Sequence, residues 1–252
     1  MQPGRSRRTA EKHIFTAKNV CAALSEPLDS RLRQVGIAGN PTSGFDITLS
    51  KNKETAMIVP ECELKLITSN FQKTGMRKPK GLIIHISQAP QLSSIYNWFN
   101  NPNQTIQTAN GPKKVTSSAH FGIGLDGTIW QFVDTDHMAY AQGPGNPDYL
   151  SVEHVGFAGN ALADPQVNAL AWLFRFLSDM YCFPIQSADA AGQSGLGYHS
   201  MGAGWGHPQC PGPAIIDQRQ RVVELAYKMG QNSSGGEPSG PLMSGGDNMS
   251  HI

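Results

Sequence analysis

The stretch Gly81 to Ser87, Gly-Leu-Ile-Ile-His-Ile-Ser, constrains the fold of this chain more than any other. A short β-branched apolar run interrupted by one histidine is too brief for a helix and reads as a buried strand. Downstream, Ala119 to Gly124 and Thr128 to Val133 flank Asp126-Gly127, a dipeptide suited to the positive φ angles of a tight hairpin. Ser151 to Phe157 is a further strand candidate. Two helices are predicted between and after these strands. Gln91 to Asn100 places Leu92, Ile95, Tyr96 and Phe99 on one face. Asp164-Pro165 gives an N-cap and first turn, followed by Val167, Leu170, Phe174, Leu177 and Tyr181 at helical spacing. A last helix is expected from Ala214 to Met229. Strands and helices that interleave through both hairpins and crossovers predict an α/β fold, with a mixed central β-sheet flanked by helices.

The two ends of the chain read differently. Phe45, Ile47 and Leu49 alternate with polar residues as a half-buried strand does, and Ala56 to Val59 and Leu64 to Ile67 are candidate short strands. Residues 1–75 show no recognisable chemistry and are expected to form an N-terminal extension that packs on the main domain, residues 76–230. From residue 231 to Ile252 the Gly/Ser/Pro-rich composition predicts a flexible tail.

Composition narrows the class of function. Twenty basic against nineteen acidic residues leave a net charge of +1, which points away from nucleic acid as the main partner. No apolar run approaches the ~20 residues of a membrane-spanning helix, so no integral membrane contact is expected. Arg5, Arg7 and Arg8 are followed by Glu11, Lys12, His13 and Lys18, where a secretion signal requires an unbroken apolar region. The expectation is synthesis in the cytoplasm without a signal peptide. Cysteines at 21, 62, 182 and 210 form no Cys-x-x-Cys pair and are too few for a disulfide scaffold.

Several of these residues suit a metal site. His85 sits inside its apolar strand, and Tyr198-His199-Ser200 precedes Cys210 in Gln-Cys-Pro-Gly-Pro by a loop that can return the chain to one place. Catalytic zinc takes three protein ligands of these types and keeps one position open. Spacing alone leaves other readings standing. A single strand histidine is often a satisfied core residue, and a single buried cysteine is often a small hydrophobe. His207 and Cys210 also form a compact His-x-x-Cys pair, so His207 competes with His199 as a ligand. Were both bound, the site would be closed and structural.

The order of the segments resembles the type 2 N-acetylmuramoyl-L-alanine amidase family, which includes phage lysozyme-type amidases and peptidoglycan recognition proteins. The resemblance runs from about Pro79 to Tyr227. It is carried by His85 at the end of Leu-Ile-Ile-His-Ile-Ser, by Ser118-Ala119-His120-Phe121, and by Asp126-Gly127 leading to Ile129-Trp130-Gln131. Ser151-Val152-Glu153-His154-Val155-Gly156 and then His199 with Cys210-Pro211-Gly212 complete it. It implies one Zn2+ per chain, held at the sheet edge by His85, His199 and Cys210. It implies Glu153 as the acid-base group, and bacterial peptidoglycan as substrate, cut between N-acetylmuramic acid and L-alanine.

Two departures stand out. Pro208 occupies a place where relatives carry Lys or Thr, which leaves His207 as the nearest catalytic substitute. Ala139-Tyr140-Ala141-Gln142-Gly143 replaces an aromatic-His-Ala-Gly run, with Tyr140 kept as a candidate substrate contact alongside Trp205 in the Gly-rich loop. His120 reads as structural or as support for the site, and His137 and His154 as packing. Trp98, Trp130 and Trp172 read as core.

The implied role is a bacteriolytic cell-wall hydrolase that acts after release or delivery, as a phage endolysin or an antibacterial effector. An effector would have an immunity or delivery protein as a possible partner. A non-catalytic peptidoglycan-binding module and a structural zinc protein are the alternatives.

Overall fold

In a computed structural model of the chain, which describes residues 57–232, Gly81–Ile86 is an inner strand with every residue buried. In chain order the strands are β1 (Glu63–Leu64), β2 (Phe71–Gln72), β3 (Gly81–Ile86), β4 (Thr105–Thr108), β5 (Gly111–Lys114), β6 (Phe121–Ile123), β7 (Ile129–Gln131), β8 (Met138–Ala139), β9 (Leu150–His154) and β10 (Gly195–Tyr198). The helices are α1 (Leu92–Phe99), α2 (Asp164–Tyr181), α3 (Pro213–Ile216) and α4 (Arg219–Asn232). Six strands form one sheet in the order β1-β7-β6-β9-β3-β10. The β6–β7 pair is antiparallel and the other pairs are parallel, so the sheet is mixed and flanked by helices as predicted.

Alternation along the strands divides the interior. Leu82, Ile84, Leu150 and Val152 turn to the face covered by α2 and α4, where they join Val167, Leu170, Phe174, Leu177, Val222 and Ala226 in the largest apolar cluster. The 3-4-3 spacing of buried residues on α2 is that of one helical face. On the other face, Leu92, Ile95 and Phe99 of α1 pack with Phe132, Val133 and Val155. Ile83, Tyr149, Met201 and Trp205 form a smaller cluster beside them. Gly122 lies on this second face. A Cβ there would come within 2.6 Å of the Phe132 ring, so glycine lets that ring pack against β6.

Several boundaries differ from the sequence reading, each for a local reason. The α2 N-cap is Ala163, whose N–H donates to Gln166 Oε1 (3.1 Å), and Asp164 is the first helical residue. Met57 to Val59 is not a strand. It is held instead by the buried Gln131 side chain, which accepts from Val59 N–H (2.9 Å) and donates to the Met57 carbonyl (2.8 Å). The final helix is two pieces, α3 and α4, separated at Asp217-Gln218. The exposed β4–β5 hairpin and the edge strand β10 were not predicted; β10 is Gly-Leu-Gly-Tyr, a composition poor in strand formers. The candidate strand at Phe45 to Leu49, and residues 1–56 and 233–252 of the two expected terminal segments, lie outside the described residues.

Candidate metal centre and catalytic site

Three side chains converge at the ends of the parallel strands, toward the β10 edge. His85 comes from β3, His199 directly follows β10, and Cys210 lies eleven residues further on. One ligand atom from each lies within 4.8 Å of the others, and together they could hold a metal ion. The local fold explains the meeting. The chain leaves β10 through a 3-10 turn at His199–Met201 and comes back so that Ser200 N–H donates to the Cys210 carbonyl at 2.9 Å. That one backbone bond closes the loop and sets Cys210 beside His199.

The electrostatics of the trio suit a cation. His85 and His199 are buried, and their ring centroids are 4.6 Å apart. Burial holds the His85 ring well below the usual histidine range, aided by the neighbouring His199, and burial likewise lowers His199. Both are therefore neutral, with a lone pair available, at physiological pH. Burial pushes the Cys210 thiol up to about 12, with the Glu153 carboxylate adding to the rise and the Ile86 backbone opposing it. A thiol so placed ionises only when a positive charge joins it, which is what metal binding provides. The donor set fits zinc: two imidazoles and one thiolate, with no fourth ligand in the cluster among the described residues.

Glu153 stands next to this trio. It is paired in register with His85 on the adjacent strand, so both side chains project from the same face of the sheet. Its neighbour on the other side is Gly122, which contributes no polar group. Carboxylate Oε2 is buried without a hydrogen-bond partner, and burial pushes the pKa up to about 8. A half-buried carboxyl with raised proton affinity beside the trio is suited to general acid-base work.

The remaining candidates divide between site and scaffold. Tyr140, Trp205 and His207 line one groove of about 510 Å³, together with Thr116, Ser117 and Asn146. Trp205 is mostly buried, because its indole is wedged between Gly145 and Gly202. Added Cβ atoms at those glycines would fall 2.5 and 2.1 Å from the ring. His207 is exposed, has φ +48°, and its ring lies 5.3 Å from that of His199, outside the ligand trio. His120 is held on both ring nitrogens, by Ser151 Oγ (2.9 Å) and the His137 carbonyl (3.0 Å), and has a structural part.

The family model described as N-acetylmuramoyl-L-alanine amidase matches residues 75–213, more than half of the chain. The chain belongs to the N-acetylmuramoyl-L-alanine amidase family. No curated protein sequence matches it. Among solved structures, a selenomethionine derivative of AmpD has the same fold, with a TM-score of 0.50 and 19% identity over 67% of this chain and 97% of that one. Similarity extends to PlyL (TM-score 0.48, 21% identity, 66% of this chain and 96% of that one). It extends also to the Staphylococcus aureus hydrolase AmiA with its ligand (0.48, 16%, 69% and 87%). Among the described residues no helix is long and apolar enough to cross a membrane.

Two residues beside the trio carry no distinct signal in the sequence. His154 was read as packing, yet its Nδ1 bonds the His85 carbonyl at 3.1 Å and braces the strand end that carries the ligand. Gln142 is fully buried against His85. Its only signal in the sequence was an unusual residue in a loop where relatives differ.

Proposed function

We propose that the protein is a zinc-dependent amidase that hydrolyses the bond between N-acetylmuramic acid and L-alanine in bacterial peptidoglycan. The observation that carries this reading is the trio His85, His199 and Cys210 with Glu153, whose Oε2 is buried without a partner, in register on the adjacent strand. It is supported by membership of the amidase family across residues 75–213.

The lactyl amide resists neutral water, and the L-alanine amine leaves only when protonated. Zinc, when bound by the trio, supplies Lewis acidity toward the amide carbonyl and lowers the pKa of water. Glu153 takes a proton from the attacking water onto its buried carboxylate and hands it to the departing nitrogen. Burial raises the proton affinity of this carboxyl, and a cation held by the trio would oppose that rise and favour the carboxylate that accepts the proton. His207, which lines the groove, would donate to the developing oxyanion where Pro208 offers no donor. Tyr140 and Trp205 line the same groove and bind the glycan or stem peptide.

Incubation of the purified protein with defined peptidoglycan, with and without a chelator, tests the reading by mass spectrometry of the soluble products. Stem peptides beginning with L-alanine, formed only in the presence of zinc, are the expected result. Stoichiometric zinc without cleavage of any wall type would assign a binding module or a structural zinc protein instead.

A further inference from the structure

The β4–β5 hairpin adds little to the core, yet its base is tied firmly to the domain. Every residue of β4 is exposed, Ile106 included, and a two-stranded hairpin by itself is marginal in water. Gln104, just before β4, is fully buried. Its Nε2 donates to the carbonyls of Trp98 (2.8 Å) and Ser117 (2.9 Å), and its Oε1 accepts from Ser117 N–H (2.6 Å). Trp98 Nε1 donates to Ser117 Oγ at 2.8 Å. These bonds fix the hairpin base on α1.

The residues that follow β5, Thr116 and Ser117, line the groove that also holds His207, whose ring is 5.3 Å from that of His199. The groove therefore connects the ligand trio with the hairpin. Residues two apart on a strand share a side, about 7 Å from one another. Val115 N–H donates to the Gln104 carbonyl at 3.0 Å, so the pairing of Lys114 with Thr105 continues one step toward Thr116. Lys114 thus shares the side of Thr116, whereas Lys113 lies on the other side with its cross-strand partner Ile106. Both lysines are exposed, and among the described residues neither is ion-paired. The groove lining has no Asp, Glu, Lys or Arg, so a carboxylate lying in it meets no fixed charge from the walls.

From this we infer that Lys114 is a specificity-determining residue: from the groove rim its ammonium pairs with the free carboxylate of an acidic stem-peptide residue beyond L-alanine. The inference deepens the amidase reading and rests on it. A lysine is a compact charge on a long flexible stem, suited to reaching over a rim toward a carboxylate. The pair is exposed to water, so its expected worth is about two- to fivefold in affinity, falling as salt rises. Amidation of that carboxyl removes the charge and with it the preference.

The test compares two soluble muropeptides that differ only in whether this carboxyl is free or amidated. Binding is read by calorimetric titration of the full-length, zinc-loaded Glu153→Gln protein, which turns over too slowly to consume them, and cleavage by wild type is read by mass spectrometry. The free acid should bind about two- to fivefold tighter than the amide at low salt. Adding Lys114→Gln should bring that ratio to about one, while Lys114→Arg and Lys113→Gln should each keep it. A ratio near one before Lys114 is changed overturns the inference, as does failure to bind either muropeptide. A ratio that survives Lys114→Gln, or that Lys113→Gln abolishes equally, also overturns it. Binding that follows the expected pattern, with no cleavage by zinc-loaded wild type, would sink the amidase reading and leave Lys114 as the contact of a binding module.

Discussion

The two faces of the central sheet are built from the same strands and do opposite things. On β3, Leu82, Ile84 and Ile86 join the helix-covered cluster, while His85 between them turns to the open face. On β9, Leu150 and Val152 pack under α2, and Glu153 turns toward His85. A strand's period of two lets one segment serve both purposes without compromise. The helix-covered face gains stability from apolar burial, whereas the open face keeps polar atoms without partners, at His85 Nε2 and Glu153 Oε2. Unpartnered buried polar atoms cost stability, and a chain keeps them where chemistry needs them. His154 is the exception. It turns to the helix side with Nε2 unpartnered and reaches the site only through the His85 carbonyl.

Substitutions on either face should therefore separate function from stability. The largest effect is expected for His85→Ala and Cys210→Ala, which should abolish both stoichiometric zinc by metal analysis and stem-peptide release. Glu153→Gln should keep zinc and lose about 10²–10⁴-fold in turnover, the usual contribution of a general acid-base group. Normal turnover in that variant would remove Glu153 from the mechanism.

On the helix-covered face, Phe174→Ala should destabilise the protein by about 3–5 kcal/mol in denaturant titration. Zinc stoichiometry and turnover of the folded fraction should stay unchanged. A matching loss of zinc would show that the two faces are coupled and break the comparison.

The pH dependence sharpens it. Glu153 has a folded pKa of about 8 against an ordinary 4.5, so the metal-free native state holds a proton that the unfolded chain releases. Its contribution to stability is thus present below pH 4.5 and lost as pH rises through 8. His85 and His199, with lowered pKa values, act in the opposite sense below their ordinary 6.5. Both histidines remain in Glu153→Gln, so the difference between the two proteins isolates the carboxyl. Denaturant midpoints at pH 5 and pH 8 should show metal-free wild type losing more stability than Glu153→Gln. The smallest change is expected for His207→Ala, which should retain zinc and lose less turnover than Glu153→Gln. Loss of zinc there would make His207 a ligand.

The reach of sequence reasoning follows the same division. Periodicity located β3, the β6–β7 hairpin, β9 and α2, because each has a strong apolar pattern and its own turn or capping residues. It failed at β10 and at β4–β5. Glycines at positions 195 and 197 give β10 no strand signature, and the exposed hairpin buries nothing that would leave a pattern. Candidate ligands were legible as residue types, but spacing could not choose between His199 and His207. That choice depends on a backbone bond from Ser200 to Cys210 that closes the loop between them.

What the sequence by itself determined is the alternation that makes one sheet face apolar and puts His85 and Glu153 on the other, since strand periodicity is local. Only the tertiary structure decided which distant groups meet there. The Cys210 thiol beside Glu153, the Trp205 carbonyl on His199 and the buried Gln142 amide at His85 come from loops without periodic pattern. Their positions are set by packing and by long-range hydrogen bonds, which leave no periodic mark in the chain.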